Sequence, residues 1–390
     1  MSGLSAALTI NDLRQRARGR VPRMFFQYSD SGSWTESTFR ANESEFDEIR
    51  FRQRVAVDMR DRSLATTLVG QPAAMPLAVG PAAICGLQVA DGEIKAARAA
   101  EKFGIPFSLS TMSIGSIEDV AEATSKPFWF QLYMMRDKPF MERLIDRAKA
   151  ARCSALIMTM DLQILGDRHA DVRNGLSAPP KFNLNSISQI VTRPGWAFGM
   201  LGAKRRTFSN VVGHAQNVED LGSLASWIAG QFDQSLTWKE VGWVKDRFGG
   251  PVIVKGILDT QDAQLAVSHG ADAIVVSNHG GRQLDGAPSS IRVLPEIVDA
   301  VGHKTEILMD GGIRSGQHML KALALGAKGV LLGRPVLYGL GAGGEAGVTR
   351  AFEIIRKEAD VTMALLGERD VRNIGPHNIY SNDLVRQQGH

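Results

Sequence analysis

The chain has 390 residues, 44% hydrophobic and 22% charged, with 45 lysines and arginines against 41 acidic residues and a net charge of +4. That is globular composition with ample core. It excludes the basic footprint of a general nucleic-acid binder and, with no run of eighteen apolar residues, a membrane-spanning helix. Residues 1–20 lack the apolar core of a signal peptide, and the two cysteines, Cys85 and Cys153, have no zinc-like or CxxC neighbour. Reduced, buried thiols in a cytoplasmic compartment are therefore expected.

The first 75 residues read as helices and a lead-in, with 43–57 among the helical stretches. From Met75 onward, short apolar runs alternate with amphipathic segments. The runs 76–79, 106–109, 128–132, 155–158, 252–254, 273–276, 306–309 and 329–332 are apolar on both faces, as parallel strands covered on both sides are. Segments 140–152, 237–248, 260–269 and 315–325 carry apolar residues at helical spacing. Eight strand–helix units predict a (β/α)8 TIM barrel of class α/β over about 75–366. An insertion of about 170–235 follows the fourth strand, and its middle, 176–217, is rich in Pro, Gly, Ser and Asn and poorly periodic. One domain spanning 1–390 is expected.

Polar residues and glycines fall at the C-terminal ends of these runs, the face where barrel active sites sit. After the sixth run comes Ser277-Asn278-His279-Gly280-Gly281-Arg282-Gln283-Leu284-Asp285. A neutral imidazole takes a proton near pH 7, and a guanidinium three residues on grips a carboxylate in two places. Such a pair suits an acid whose neighbouring carbon or hydroxyl must lose a proton. Asp161, ending the fourth run, is placed either to orient His279 or to cap a helix. Arg168, seven residues later, is a second carboxylate ligand or a solvated loop charge. Lys255 ends the fifth run and can serve as Schiff-base former, phosphate ligand or fixed positive charge.

Asp310-Gly311-Gly312-Ile313-Arg314 and Gly333-Arg334 follow the seventh and eighth runs, a common phosphate site in barrels. Tyr28 and Tyr133 are candidate donors to a substrate oxygen. His169, His214, His269, His303 and His318 lack a strand-end position and read as non-catalytic. No carboxylate and histidine grouping has metal spacing, so no metal site is expected.

These motifs, together with Phe130-Gln131-Leu132-Tyr133, Val254-Lys255-Gly256 and Leu323-Ala324-Leu325-Gly326-Ala327 in the same order, resemble the FMN-dependent L-2-hydroxy acid oxidases and dehydrogenases. The resemblance runs from about Val21 to about Gly367. Phe51-Arg52-Gln53-Arg54 and 104–111 make the bacterial respiratory L-lactate dehydrogenases the most similar members. It implies FMN as cofactor and oxidation of an L-2-hydroxy acid, foremost L-lactate to pyruvate, with electrons passed to a quinone or cytochrome. The alternative is an oxygen-using oxidase of glycolate or a larger acid such as mandelate, producing hydrogen peroxide; the alanine Ala83 in the turn by the flavin keeps it open.

The resemblance also implies residue roles. His279 is then the base and Asp161 its partner. Arg282 and Arg168 hold the substrate carboxylate, and Tyr28 and Tyr133 hydrogen-bond the substrate. Pro81, Ala82 and Ala83 line the flavin, and Ser110, Gln131, Thr159 and Ser277 contact its ring or ribityl oxygens. Lys255 sits by the pyrimidine end, and Asp310, Gly311, Gly312, Arg314, Gly333 and Arg334 hold the ribityl phosphate. Family members often form tetramers, so a homotetramer is expected.

In the insertion, Trp196, Phe198, Met200 and Leu201 precede Lys204-Arg205-Arg206. An apolar patch beside basic residues can rest on an anionic membrane. Segment 194–206 is therefore expected either as a peripheral contact on the inner face of the cell membrane or as a lid over the active site.

Overall fold

The structure is a computed structural model that describes residues 3–175, 184–215 and 230–382. Eight parallel strands form its centre: β1 (Leu77–Val79), β2 (Ser108–Ser110), β3 (Trp129–Tyr133), β4 (Ala155–Thr159), β5 (Val252–Ile257), β6 (Ala273–Val276), β7 (Glu306–Met309) and β8 (Gly329–Leu332). Each pairs with the next in sequence, β8 returns to β1, and a bridge between Val79 and Phe107 closes the gap to β2. The sheet is therefore the expected closed (β/α)8 barrel.

Alternation within each strand splits its side chains between two cores. Ala78, Trp129, Ile157, Ile253, Val275, Leu308 and Leu331 fill the interior. Neighbours such as Leu77, Phe130, Leu156, Val254 and Ile274 face outward into the helical layer. A long helical segment, Arg334–Leu365, bends at Gly343 and Gly344 and packs on the lead-in helix α1 (Ile10–Arg20).

Two lead-in helices follow α1, namely α2 (Arg23–Ser29) and α3 (Ser37–Ser44). The expected helix over 43–57 is not formed. A 3-10 turn occupies Glu45–Glu48, and Ile49–Phe51 is a strand paired antiparallel with Ile379–Asn382. That partner lies more than 300 residues away in sequence, so local periodicity carries no sign of it. A hairpin, Thr66–Leu68 with Gln71–Ala73, also goes beyond the lead-in pattern. Its Leu68 is fully buried and plugs the bottom of the interior core.

Among its described residues, the insertion holds more helix than its composition suggests. After the short helix α4 (His169–Arg173) it contains α5 (Leu184–Val191) and α6 (Pro194–Leu201). Pro194 starts α6 where a missing N–H costs nothing. The rest of the low-periodicity stretch, 176–183 and 216–217, lies outside the described residues.

Candidate functional site

The C-terminal ends of the strands bring the candidate residues to one mouth. His279 follows β6 and Asp161 follows β4, and His279 Nδ1 lies 3.0 Å from Asp161 Oδ1. Gly256, at the bulge between Lys255 and Ile257, makes that pair possible: a Cβ there would stand 2.7 Å from Asp161 Cγ. His279 itself holds a left-handed backbone (φ 57°). Such strain costs about 1–3 kcal/mol and collects at functional sites.

Burial holds the His279 imidazole below its ordinary pKa, against the upward pull of Asp161, while nearby Lys255 adds to the lowering. Burial alone would push Asp161 up, but the charge and hydrogen bond of His279, with Lys255, bring its carboxyl below the usual range. A neutral imidazole beside an ionised carboxylate fixes the tautomer. Nδ1–H donates to Asp161, and Nε2 keeps its lone pair.

Gln283 holds this pair in place, a role sequence reading missed although the residue lies within the 277–285 motif. Its Nε2 donates to the carbonyls of Asp161 (2.6 Å) and Ile164 (2.8 Å), and its Oε1 accepts from Gly166 N–H (3.2 Å). Asn42 and Asn278 form a second fastening, a fully buried pair of amides with two reciprocal bonds of 2.8 Å. It ties α3 to the histidine loop. Asp285 caps α3 from across the chain, accepting from the N–H groups of Thr35 (2.9 Å) and Thr38 (3.0 Å) and from the hydroxyls of Thr35 and Ser37.

Arg282 lies over the Tyr28 ring, 4.6 Å from its centroid, and its Nη1 donates to the carbonyls of Tyr28 and Ser31. Its buried Nη2 has no hydrogen-bond partner among the described residues. Arg168 is close by: burial, then the charge of Arg282, lower its pKa, while Tyr28, Asp171 and Tyr133 raise it. Tyr133 is kept protonated, its pKa pushed up by burial. Asp171 on α4 was not anticipated, and its carboxylate stands 3.7 Å from Arg282 Nη2. Two guanidiniums thus face one carboxylate, which leaves the cluster suited to one further negative charge.

Lys255 is buried, with Nζ 2.9 Å from Ser277 Oγ and 3.1 Å from Asp310 Oδ2. Across β2, β3 and β4, Ser110 Oγ donates to Gln131 Oε1 (2.9 Å), and Gln131 Nε2 donates to Thr159 Oγ1 (3.1 Å). At the last two strands, Gly312 has φ 78°, and a Cβ there would lie 1.7 Å from the Asn42 carbonyl.

His318, expected to be a bystander, stacks flat on Phe46 at 4.3 Å, with Nδ1 3.1 Å from the Gly312 carbonyl. It supports that glycine turn. Arg334, partly buried, lies over Phe39 and donates to the carbonyls of Ser29 and Ser31. Burial pushes its pKa down to about 9. Arg314 spends Nη1 on its neighbour Ile313 and lies 3.4 Å from Glu43. In this arrangement both arginines lean on protein carbonyls or a carboxylate.

The sequence profile of the FMN-dependent dehydrogenases matches residues 17–381. An L-lactate dehydrogenase of Stenotrophomonas maltophilia is 44% identical over 372 residues, covering 95% of this chain and 98% of its own. An L-lactate dehydrogenase of Xanthomonas oryzae pv. oryzae is 45% identical over 366 residues, 93% of this chain and 94% of its own. Among solved structures, a monotopic membrane protein, (S)-mandelate dehydrogenase, superposes with a TM-score of 0.92 at 34% identity, covering 97% of this chain and all of that one. A mandelate oxidase superposes at 0.81 with 37% identity over 96% of this chain and 98% of that one.

Proposed function

Because this chain belongs to the FMN-dependent dehydrogenase family, we propose that it oxidises L-lactate to pyruvate at the C-terminal mouth of its barrel and passes the electrons to a quinone or cytochrome. The observation that carries the reading is the neutral, Asp161-oriented His279 in one mouth with Arg282, whose Nη2 makes no hydrogen bond among the described residues and has only the distant Asp171 carboxylate as a charge partner. The lactate dehydrogenases among its relatives support the substrate.

The residues fit the family's cofactor. Asp310 Oδ1 is buried without a hydrogen-bond partner among the described residues, as a ribityl hydroxyl would require. Arg334 is partly buried with its charge disfavoured by desolvation, an environment that an anion relieves. In this reading Gly311, Gly312, Arg314, Gly333 and Arg334 hold the phosphate, and Ser110, Gln131, Thr159, Ser277 and Asp310 hold ring or ribityl oxygens. Pro81, Ala82 and Ala83 line the ring, and Lys255 places a fixed positive charge at its pyrimidine end. When bound, FMN supplies a two-electron acceptor.

The chain's own residues do the rest. Arg282 and Arg168 take the carboxylate and so fix which face of the α-carbon is presented. Tyr28 and Tyr133 orient the hydroxyl. His279 Nε2 takes a proton from the substrate, and Asp161 stabilises the imidazolium that results. Steady-state turnover with a soluble quinone should yield one pyruvate per quinone reduced, with little peroxide. Ala83 and the likeness to a mandelate oxidase favour a second reading, an oxygen-using oxidase; stoichiometric hydrogen peroxide in air would select it.

We place the enzyme peripherally on the inner face of the cell membrane, supported by its likeness to a monotopic membrane protein. No helix of the described residues is long and apolar enough to cross a membrane. The contact surface is narrower than the sequence suggests. Trp196 packs on Phe25 at 5.2 Å and donates its Nε1–H to the Leu87 carbonyl, and Arg205 is engaged by Asp91 and Asp119. What remains is Val191, Phe198 and Leu201, all strongly exposed, with Lys204 and Arg206 beside them. A Phe198→Ser/Leu201→Ser double variant should lose most sedimentation with anionic vesicles; unchanged sedimentation would remove the membrane role. The reading also takes the chain as one domain assembled as a homotetramer. Light scattering that gives the 42.3 kDa of a single chain would count against the tetramer.

A further inference from the structure

The insertion does not end at its exposed apolar face. After α6 the chain turns back into the protein and fastens two barrel loops, one following β1 (residues 80–91) and one following β2 (residues 111–116). Arg205 bridges Asp91 (3.0 Å) on the first and Asp119 (2.6 Å) just past the second. Ser209 Oγ donates to the Ile114 carbonyl (2.7 Å). Asn210 is fully buried and uses both ends of its amide. Its Nδ2 donates to Ser113 Oγ (3.0 Å) and the Ser110 carbonyl (3.4 Å), and its Oδ1 accepts from Ile117 N–H (3.0 Å) and Arg147 Nη2 (3.3 Å).

The buried carboxyl of Glu93 joins the same two loops. Its Oε1 accepts from the N–H groups of Gly86 (3.2 Å) and Ile114 (3.0 Å). The first loop carries Pro81, Ala82 and Ala83; the second starts at Ser110. Both are walls of the flavin site in the reading above, on which this inference rests.

We propose that segment 203–215 is a brace for the FMN pocket, with Asn210 as its positioning residue. The insertion then has two separable parts, an apolar face on α6 and a polar tail that sets the spacing of the loops around the flavin. Buried polar groups that lose their partners must move to find others. Without the tail, the β1 and β2 loops keep Glu93 and the bond from Ile84 N–H to the Met112 carbonyl, but lose the Arg205 bridge and the Asn210 fastening of the β2 loop.

The test compares FMN dissociation from the holoenzyme, followed by flavin fluorescence, with the positions of its visible absorption bands. Asn210→Asp keeps the shape and the acceptor but removes both donors. It should raise the FMN dissociation constant about tenfold, the scale of one buried polar group left unpaired, and shift the flavin bands. Arg205→Ala cuts the outer end at a partly exposed position and should weaken FMN in the same direction by a smaller factor. The Phe198→Ser/Leu201→Ser variant should keep wild-type FMN affinity. A brace without effect on the pocket would show as FMN affinity within twofold of wild type and unshifted bands in both Asn210→Asp and Arg205→Ala, which overturns the proposal alone. A wild-type protein that binds no FMN would overturn the parent reading and this one with it.

Discussion

Replacing His279 with alanine is expected to slow flavin reduction by L-lactate about 10⁴-fold, the top of the range for a positioned proton acceptor, while FMN stays bound. The imidazole is the group in the mouth with an oriented, uncommitted lone pair, since Nδ1 is held by Asp161. Its removal leaves the Lys255–Ser277 contact and the glycine turns of β7 and β8 in place. The base works in its neutral form, so protonation on acidification switches it off. Because burial lowers the His279 pKa, the acid limb of kcat/KM should fall below the ordinary histidine value near pH 6.5. Asp161→Asn removes the influence that raises this pKa. The limb should move further down, and the rate should drop because the tautomer is no longer fixed. Rapid-mixing reduction kinetics across pH measure both; a normal reduction rate in His279→Ala removes the residue from the mechanism.

Arg282→Lys should lower kcat/KM for L-lactate by roughly 10²-fold, in line with about 3 kcal/mol for breaking a buried, hydrogen-bonded charge contact. A lysine keeps the charge but not the fork that holds a carboxylate in two places. The guanidinium also anchors the carbonyls of Tyr28 and Ser31, so part of the loss would come through that turn. Lactamide separates the two contributions, because it has no carboxylate. If Arg282 grips the carboxylate, the gap between variant and wild type narrows sharply with lactamide. An equal loss with both substrates would reduce Arg282 to a support for the turn.

Much of this was legible because parallel strands buried on both faces read as uninterrupted apolar runs. The residue after each run therefore falls at the mouth by construction. His279, Asp161, Lys255 and Asp310 were found that way, and the distances of about 3 Å among them follow from strand order. What stayed hidden depends on partners far away in sequence. Ile49–Phe51 is a strand only because 379–382 reaches it. Asn42 matters only because Asn278 lies opposite, 236 positions on. Asp171 matters only because the fold sets it against Arg282, 111 positions on. Segment 194–206 stays open in sequence between a membrane contact and a lid, and the fold divides it: Phe25 and the Leu87 carbonyl take up Trp196, while Phe198 and Leu201 stay exposed.

Anaerobic addition of L-lactate to the purified holoenzyme, followed by visible absorption, tests the central claim most directly. The account predicts a yellow protein whose flavin bands bleach with one equivalent of L-lactate and release one pyruvate. A yellow protein whose bands L-lactate leaves untouched would contradict it.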